Sequence, residues 1–270
     1  MSLIALFKSG VFLDLYFVKN NRANLVSFLL WPYLMLILML GAGFLFGSTQ
    51  SFRSNVGEDV DPIVFFVSST LIASASLSVM WDVGGAVLLH RWAGTLPYVL
   101  LAPYRTSIIL VMAYIPRYIL WSFIQLAEFL PPLILRKGVD ALIIDLPILS
   151  VSLIVGMLPL LGFSAIFASI LLVTKEESNI LSWLNPIILI LSGAFYPSYL
   201  FPLWARVISQ ALPTTHTFEL ARLSALMSAP GVREVILIIG ILLGMSALYN
   251  ALSYTMLGKA EERALGSGSI

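Results

Sequence analysis

Five stretches of this chain run for roughly the 20 residues that a bilayer crossing needs without one charged side chain: Ala23–Phe52, Pro62–Trp81, Leu146–Thr174, Ser178–Ala205 and Val235–Gly258. The hydrocarbon core, about 30 Å thick, offers backbone polar groups no water. A single segment therefore crosses it only as a helix that pairs its own N–H and C=O groups. A sixth stretch, Ser107–Leu135, is interrupted only by Arg117 and Glu128. Hydrophobic residues make up 59% of the chain and charged ones 11%. That is too few charges to wet the surface of a soluble domain, where about a quarter of residues are charged. The expected fold is all-α: a single polytopic membrane domain over residues 1–270, with six transmembrane helices and both termini on one side.

Charge asymmetry gives the side. With cytoplasmic termini, the inner segments carry Lys8, Lys19, Arg22, Arg91, Arg105, Lys175, Lys259 and Arg263, and the outer ones Arg53, Arg136, Lys137, Arg206, Arg222 and Arg233. The excess of inner cations, led by the N-terminal cluster, predicts a multi-pass protein of the cell membrane with both termini cytoplasmic. Lys8, Asp14 and Lys19 interrupt the first apolar stretch and argue against a cleavable signal there. Residues 1–22 read instead as an interfacial helix, with Ile4, Phe7, Val11, Leu15 and Val18 on one face. Residues 193–229 contain Pro197, Pro202 and Pro213, each of which breaks a helix by removing a backbone donor. This predicts short re-entrant helices in the outer leaflet.

Several chemistries are excluded or weakened. With 15 basic and 14 acidic residues there is no basic face for nucleic acid, and with no cysteine there is no thiolate or disulfide chemistry. Two distant histidines, His90 and His216, predict no metal site. No P-loop is present, so the chain does not hydrolyse a nucleotide by that chemistry. Gly43–Gly47 and Gly240–Gly244 have the small-x-x-x-small spacing of membrane helix contacts. Gly162-Phe163-Ser164-Ala165 loosely resembles the serine motif of rhomboid proteases, for which His216 is the available base. Arg117 and Glu128, about three turns apart, are the intramembrane charges. A third span starting at Ser107 puts Arg117 deep in the hydrocarbon, where it needs a partner; one starting near Pro116, the favoured reading, makes Arg117 an interfacial anchor and Glu128 the deeper charge.

The segment between the second and third spans, Asp82–Arg105, is too polar for a span and too apolar for a free loop. His90, Arg91, Trp92 and two tyrosines among leucines predict a short amphipathic helix at the membrane surface. Its string Gly94-Thr95-Leu96, then Leu100-Leu101-Ala102-Pro103 and Arg105, resembles the GTLE-x-LL-x-TP-x-x-R segment in permease subunits of ATP-binding cassette exporters of the second, drug and polysaccharide, type. A second block is similar to that family's LSG-x-FFP…LP-x-W…NPLTY…AR sequence. It comprises Leu191–Pro197, Leu200–Trp204, Leu212-Pro213-Thr214-Thr215, Glu219 and Arg222. Pro97 stands where the family commonly has glutamate, Ala102 where it has threonine or serine, and Leu212 where it has asparagine.

The resemblance implies a cytoplasmic coupling helix that docks on a separate P-loop ATPase subunit. Its coupling residues would be Arg91, Trp92, Gly94, Thr95, Leu96, Tyr98, Pro103 and Arg105, with Arg91 or Arg105 supplying the polar contact in place of the glutamate. It implies an outer gate at Phe195, Tyr196, Pro197, Pro202, Trp204 and Pro213. It also implies a second permease chain as partner, membrane lipid as surroundings, no cofactor in this chain, and ATP with Mg in the ATPase. An ion-coupled carrier, a rhomboid-like enzyme and a non-transporting scaffold are the rival readings. Ser68, Ser69, Thr70, Ser74 and Ser76 either line a pathway or pack helices closely.

Overall fold

Charge-free apolar sequence folds here mostly as helix. The computed structural model describes residues 3–45, 49–57, 59–140, 142–174 and 180–266, and no strand occurs among them. The chain begins with α1 (Leu3–Asn20), α2 (Arg22–Leu45) and α3 (Thr49–Val56). Helix α4 (Pro62–Val79) widens into a π-turn at Met80–Gly84 and leads to the short α5 (Ala86–Trp92) and α6 (Leu96–Leu100). Then come α7 (Thr106–Glu128), α8 (Leu130–Lys137), α9 (Leu142–Val173) and α10 (Ile180–Leu191). The last three are α11 (Leu203–Ala211), α12 (Pro213–Arg222) and α13 (Val232–Gly266).

Four helical stretches are long and apolar enough to cross a membrane: Pro62–Gly84, Thr106–Lys137, Leu142–Val173 and Val232–Gly266. Two shorter apolar helical stretches, Leu29–Gly41 and Ile180–Leu191, accompany them. An all-helical chain with this many apolar helices is a membrane protein in character.

Two expectations change. The run from 178 to 205 is not one helix: α10 has 12 residues, about 18 Å of rise, and stops at Gly193. That residue takes a positive φ of 81°, where side chains other than glycine's are strained, and a Cβ there would lie 2.7 Å from the Tyr196 carbonyl oxygen. Helix α7 starts at Thr106, beside the longer of the two starts the sequence left open, and Pro116 lies inside it. Proline inside a membrane helix is tolerated where neighbouring helices cover the freed backbone, and α1 packs there: a Cβ on Gly10 would lie 3.2 Å from Pro116 Cγ.

Helix α4 is the buried centre, covered by α2, α9 and α12. Ser68, Ser69, Thr70, Ser74 and Ser76 are all buried within this chain. The Ser68 and Thr70 hydroxyls donate back to the Phe65 and Phe66 carbonyls, the usual way a membrane helix satisfies such groups. These residues pack α4 internally rather than lining an open face of this chain.

The most extensive helix pair is α9 with α13. Its closeness rests on Gly162, where a Cβ would fall 2.5 Å from the Asn250 amide nitrogen and 2.6 Å from the Tyr249 carbonyl carbon. Gly156 likewise admits Thr217 of α12. By contrast, Gly240 and Gly244 face nothing within 4 Å in this chain, so the spacing rule pointed at the wrong glycines for intrachain packing. Of the other pair, Gly47 lies outside the described residues.

Candidate functional site

Side chains at opposite ends of the bundle do different work. At one end, α5 and α6 sit against the start of α7 and the ends of α9 and α13. A small apolar cluster joins them, with Val87, Leu96, Leu100, Leu110, Leu172 and Leu257 all buried. Polar caps reinforce it. Arg91 donates to the final carbonyls of α9, at 3.1 Å from Leu171 O and 3.2 Å from Thr174 O, which are orphaned acceptors at a helix C-terminus. Glu261 of α13 accepts the Thr106 N–H at 3.1 Å and so caps α7. The Arg105 guanidinium lies 4.4 Å from the centre of the Tyr254 ring.

The segment expected as one amphipathic helix is thus two short helices joined at Gly94, whose φ is 66°. His90 Nδ1 and Thr95 Oγ1, 2.9 Å apart, hold the turn between them, and burial keeps the His90 imidazole below its ordinary pKa. Arg91 is turned inward, while Trp92 (55% exposed), Tyr98 (77%) and Leu101 (73%) project outward. Gly94, Thr95, Pro103 and Arg105 are exposed and Leu96 is buried. Lys175, one of the cations counted for this side, lies outside the described residues.

At the opposite end, Asp61 caps α4 through the N–H groups of Ile63 (2.9 Å) and Val64 (3.0 Å) and receives the Arg136 guanidinium at 2.6 Å. Burial works against the Asp61 carboxylate, but Arg136 and the two amides outweigh it and hold its pKa below the usual range. Lys137 reaches the Asp145 carboxylate and the Ser224 carbonyl, each at 2.9 Å.

The gate candidates lie on the irregular segment between α10 and α12. Pro197 and Pro213 are buried, Phe195 and Tyr196 half-buried, and Pro202 and Trp204 exposed. The segment folds around Arg222, which donates to Ser69 Oγ (2.9 Å) on α4 and to the Gly193 and Ala194 carbonyls beyond α10. Its guanidinium also lies 4.0 Å from the Phe65 ring centre.

His216 sits between two acceptors, the Glu219 carboxylate at 3.0 Å and the Gln210 carbonyl at 3.1 Å. Both ring nitrogens donate only in the imidazolium. Burial opposes the charge, but Glu219 first and then Gln210 raise the His216 pKa above its ordinary value. Ser164 points elsewhere, its hydroxyl 3.1 Å from Met80 Sδ, so the serine and histidine of the protease reading are not brought together.

Between the ends lies a charged cluster that the sequence reading had only in part. Arg117 pairs with Asp82 on the π-turn (3.3 Å) and with Asp14 on α1 (3.6 Å), not with Glu128. Asp82 and Asp14 are thus partners of the arginine that a span starting near Pro116 would have left as a simple interfacial anchor. The cluster borders a cavity of about 580 Å³ between α1, α7 and the π-turn, which Tyr114 and His90 also line. Burial pushes the Asp14 carboxyl up; Arg117 opposes this and the Asp82 charge adds to it. Its Oδ2 is buried without a hydrogen-bond partner. Glu128, at the end of α7, also buries one carboxylate oxygen without such a partner, and its backbone carbonyl accepts the Tyr33 hydroxyl.

Asp82 had served in the sequence only as a segment boundary and Asp14 only as an interruption. The available signal was that Asp82 is the charge that ends an uncharged run, a position where a membrane acid requires a partner. No protein-family model matches the chain, and no curated protein matches it in sequence.

Proposed function

We propose that this chain is the membrane-spanning subunit of an ATP-driven exporter of the second ATP-binding cassette type. It would form the substrate pathway with a second permease chain and take its energy from a separate P-loop ATPase. In this reading α2, α4, α7–α8, α9, α10 and α13 are the six spans, and both termini lie in the cytoplasm. The observation that carries the reading is the seating of Asp82–Arg105. Two short helices present Trp92, Tyr98 and Leu101 outward while resting on the ends of α7, α9 and α13. A force on those side chains is passed to three long helices at once, which is what a coupling element requires. The export direction follows from the resemblance alone, and a lipid, a hydrophobic drug or a lipid-linked saccharide is each compatible with the apolar and aromatic character of the spans.

The test is transport and ATP hydrolysis by the permease reconstituted with its ATPase. Tyr98→Glu and Trp92→Glu should leave hydrolysis running while export falls at least about tenfold, which corresponds to about 1.4 kcal/mol of lost coupling. Undiminished export by both variants would overturn the proposal.

One observation favours a second reading. The Asp14–Arg117–Asp82 cluster is the kind of intramembrane charge group that ion-coupled carriers use. Transport driven by an ion gradient without any ATPase, and abolished by Asp82→Asn, would select that reading instead.

A further inference from the structure

The uncharged runs of α9 and α13 stop at the same end of the bundle, at Thr174 and Gly258, and a cleft of about 350 Å³ opens between the two helices there. Its floor is apolar, formed by Ile170, Val173 and Met256, and its rim carries Lys259 and Arg263. The two cations are four residues apart on α13, so they stand one above the other about 6 Å apart along the helix. Neither makes an ion pair among the described residues. Of the described acids close to them in sequence, Glu261 is committed to the cap of α7, and Glu262 is exposed and in no ion pair with either. A third cation, Arg91, is spent on the carbonyls at the end of α9.

We propose that this cleft binds an anionic phospholipid, with an acyl chain against Ile170, Val173 and Met256 and the charged headgroup between Lys259 and Arg263. The depth decides the ligand class. Apolar helix ends immediately below two cations that no described acid pairs reproduce the order of a phospholipid, chain below and phosphate above, at the level where the membrane changes from hydrocarbon to headgroup. A soluble anion would use the cations but gain nothing from the floor. The inference rests on the membrane character of the chain and not on the exporter reading, so it stands or falls separately.

The test is native mass spectrometry of the delipidated full chain in detergent, titrated with phosphatidylglycerol, phosphatidylcholine or inorganic phosphate. Each interfacial cation favours an anionic lipid by about fivefold, so the pair should give phosphatidylglycerol a preference of roughly 30-fold over phosphatidylcholine at low salt. Lys259→Gln/Arg263→Gln should abolish the preference. The charge-preserving pair Lys259→Arg/Arg263→Lys should keep it, as should Arg206→Gln at the other end of the bundle, and these show that loss is not misfolding. Equal binding of the two lipids by the wild type, an unchanged preference in the double glutamine variant, or displacement of the lipid by millimolar phosphate would each overturn the proposal.

Discussion

Gly162→Ala is the sharpest test of how the bundle is held together. The alanine Cβ would lie 2.5 Å from the Asn250 nitrogen and 2.8 Å from the Tyr249 carbonyl oxygen, where ordinary contact begins at 3.4 Å. Both obstacles are backbone, so no side chain can swing aside and α13 must retreat from α9 by about 0.9 Å, an overpacking that costs about 1–3 kcal/mol. The retreat also strains the Asn250 amide bond to the Leu158 carbonyl, now 2.8 Å, and the edge contact of Phe163 with Tyr249. Helix propensity pushes the other way, since alanine gains about 1 kcal/mol over glycine in a helix interior. Gly240→Ala and Gly244→Ala, with nothing within 4 Å, should therefore be neutral or mildly stabilising. Unfolding by sodium dodecyl sulfate in mixed micelles, followed by circular dichroism, measures all three. Gly162→Ala should destabilise by about 0–2 kcal/mol net of propensity, against a neutral or stabilising Gly244→Ala; a value equal to that of Gly244→Ala would refute the backbone contact.

Asp61→Ala should cost about 2–3 kcal/mol, from the lost cap and the unpaired Arg136, and Asp61→Asn, which keeps the cap, about 1 kcal/mol. Because the Asp61 pKa is depressed in the folded state, the advantage over Asp61→Asn is full above about pH 4. It should fade as pH falls through the folded value; an advantage unchanged in stronger acid would contradict the ion pair. His216 has the opposite sign: its raised pKa contributes stability below about pH 6.5 that is lost as pH rises through the folded value. An imidazole titration midpoint at or below that of a free histidine would rule out the two-acceptor arrangement. Arg91→Ala should cost about 1–2 kcal/mol and speed amide exchange in the last turn of α9. Unchanged exchange there would show that the carbonyls have another cap.

How much of this was legible in the sequence depends on whether a feature is local or relational. The long helices were legible because absence of charge over some 20 residues is a property of the segment itself. The break after α10 was legible in kind, since prolines and Gly193 announce irregular backbone, although the run from 178 to 205 still looked like one span. The start of α7 was left between Ser107 and Pro116, because the depth of Arg117 depends on Asp14 and Asp82, acids that lie on other segments. Nor did spacing tell Gly162 from Gly244: both sit in apolar helix, and only the position of α13 decides which of them touches backbone.

The charges follow the same rule. Arg117 was visible as an intramembrane arginine, but its two acids come from segments more than 30 positions before it, Asp82 at the end of α4 and Asp14 on α1. Arg91 illustrates the converse. A polar side chain on an amphipathic surface segment reads as a contact for a partner, yet the unpaired carbonyls that end α9 are a nearer and stronger claim on its guanidinium. Arg91 thus binds the short α5 to α9, and Glu261 of α13 closes the start of α7. In the proposed coupling role, the side chains that would meet an ATPase are the exposed apolar ones, Trp92, Tyr98 and Leu101. Docking through those three side chains would rest on shape and apolar area more than on charge. The proline at position 97, where the exporter segment it resembles commonly has a glutamate, therefore does not by itself count against the proposed coupling role.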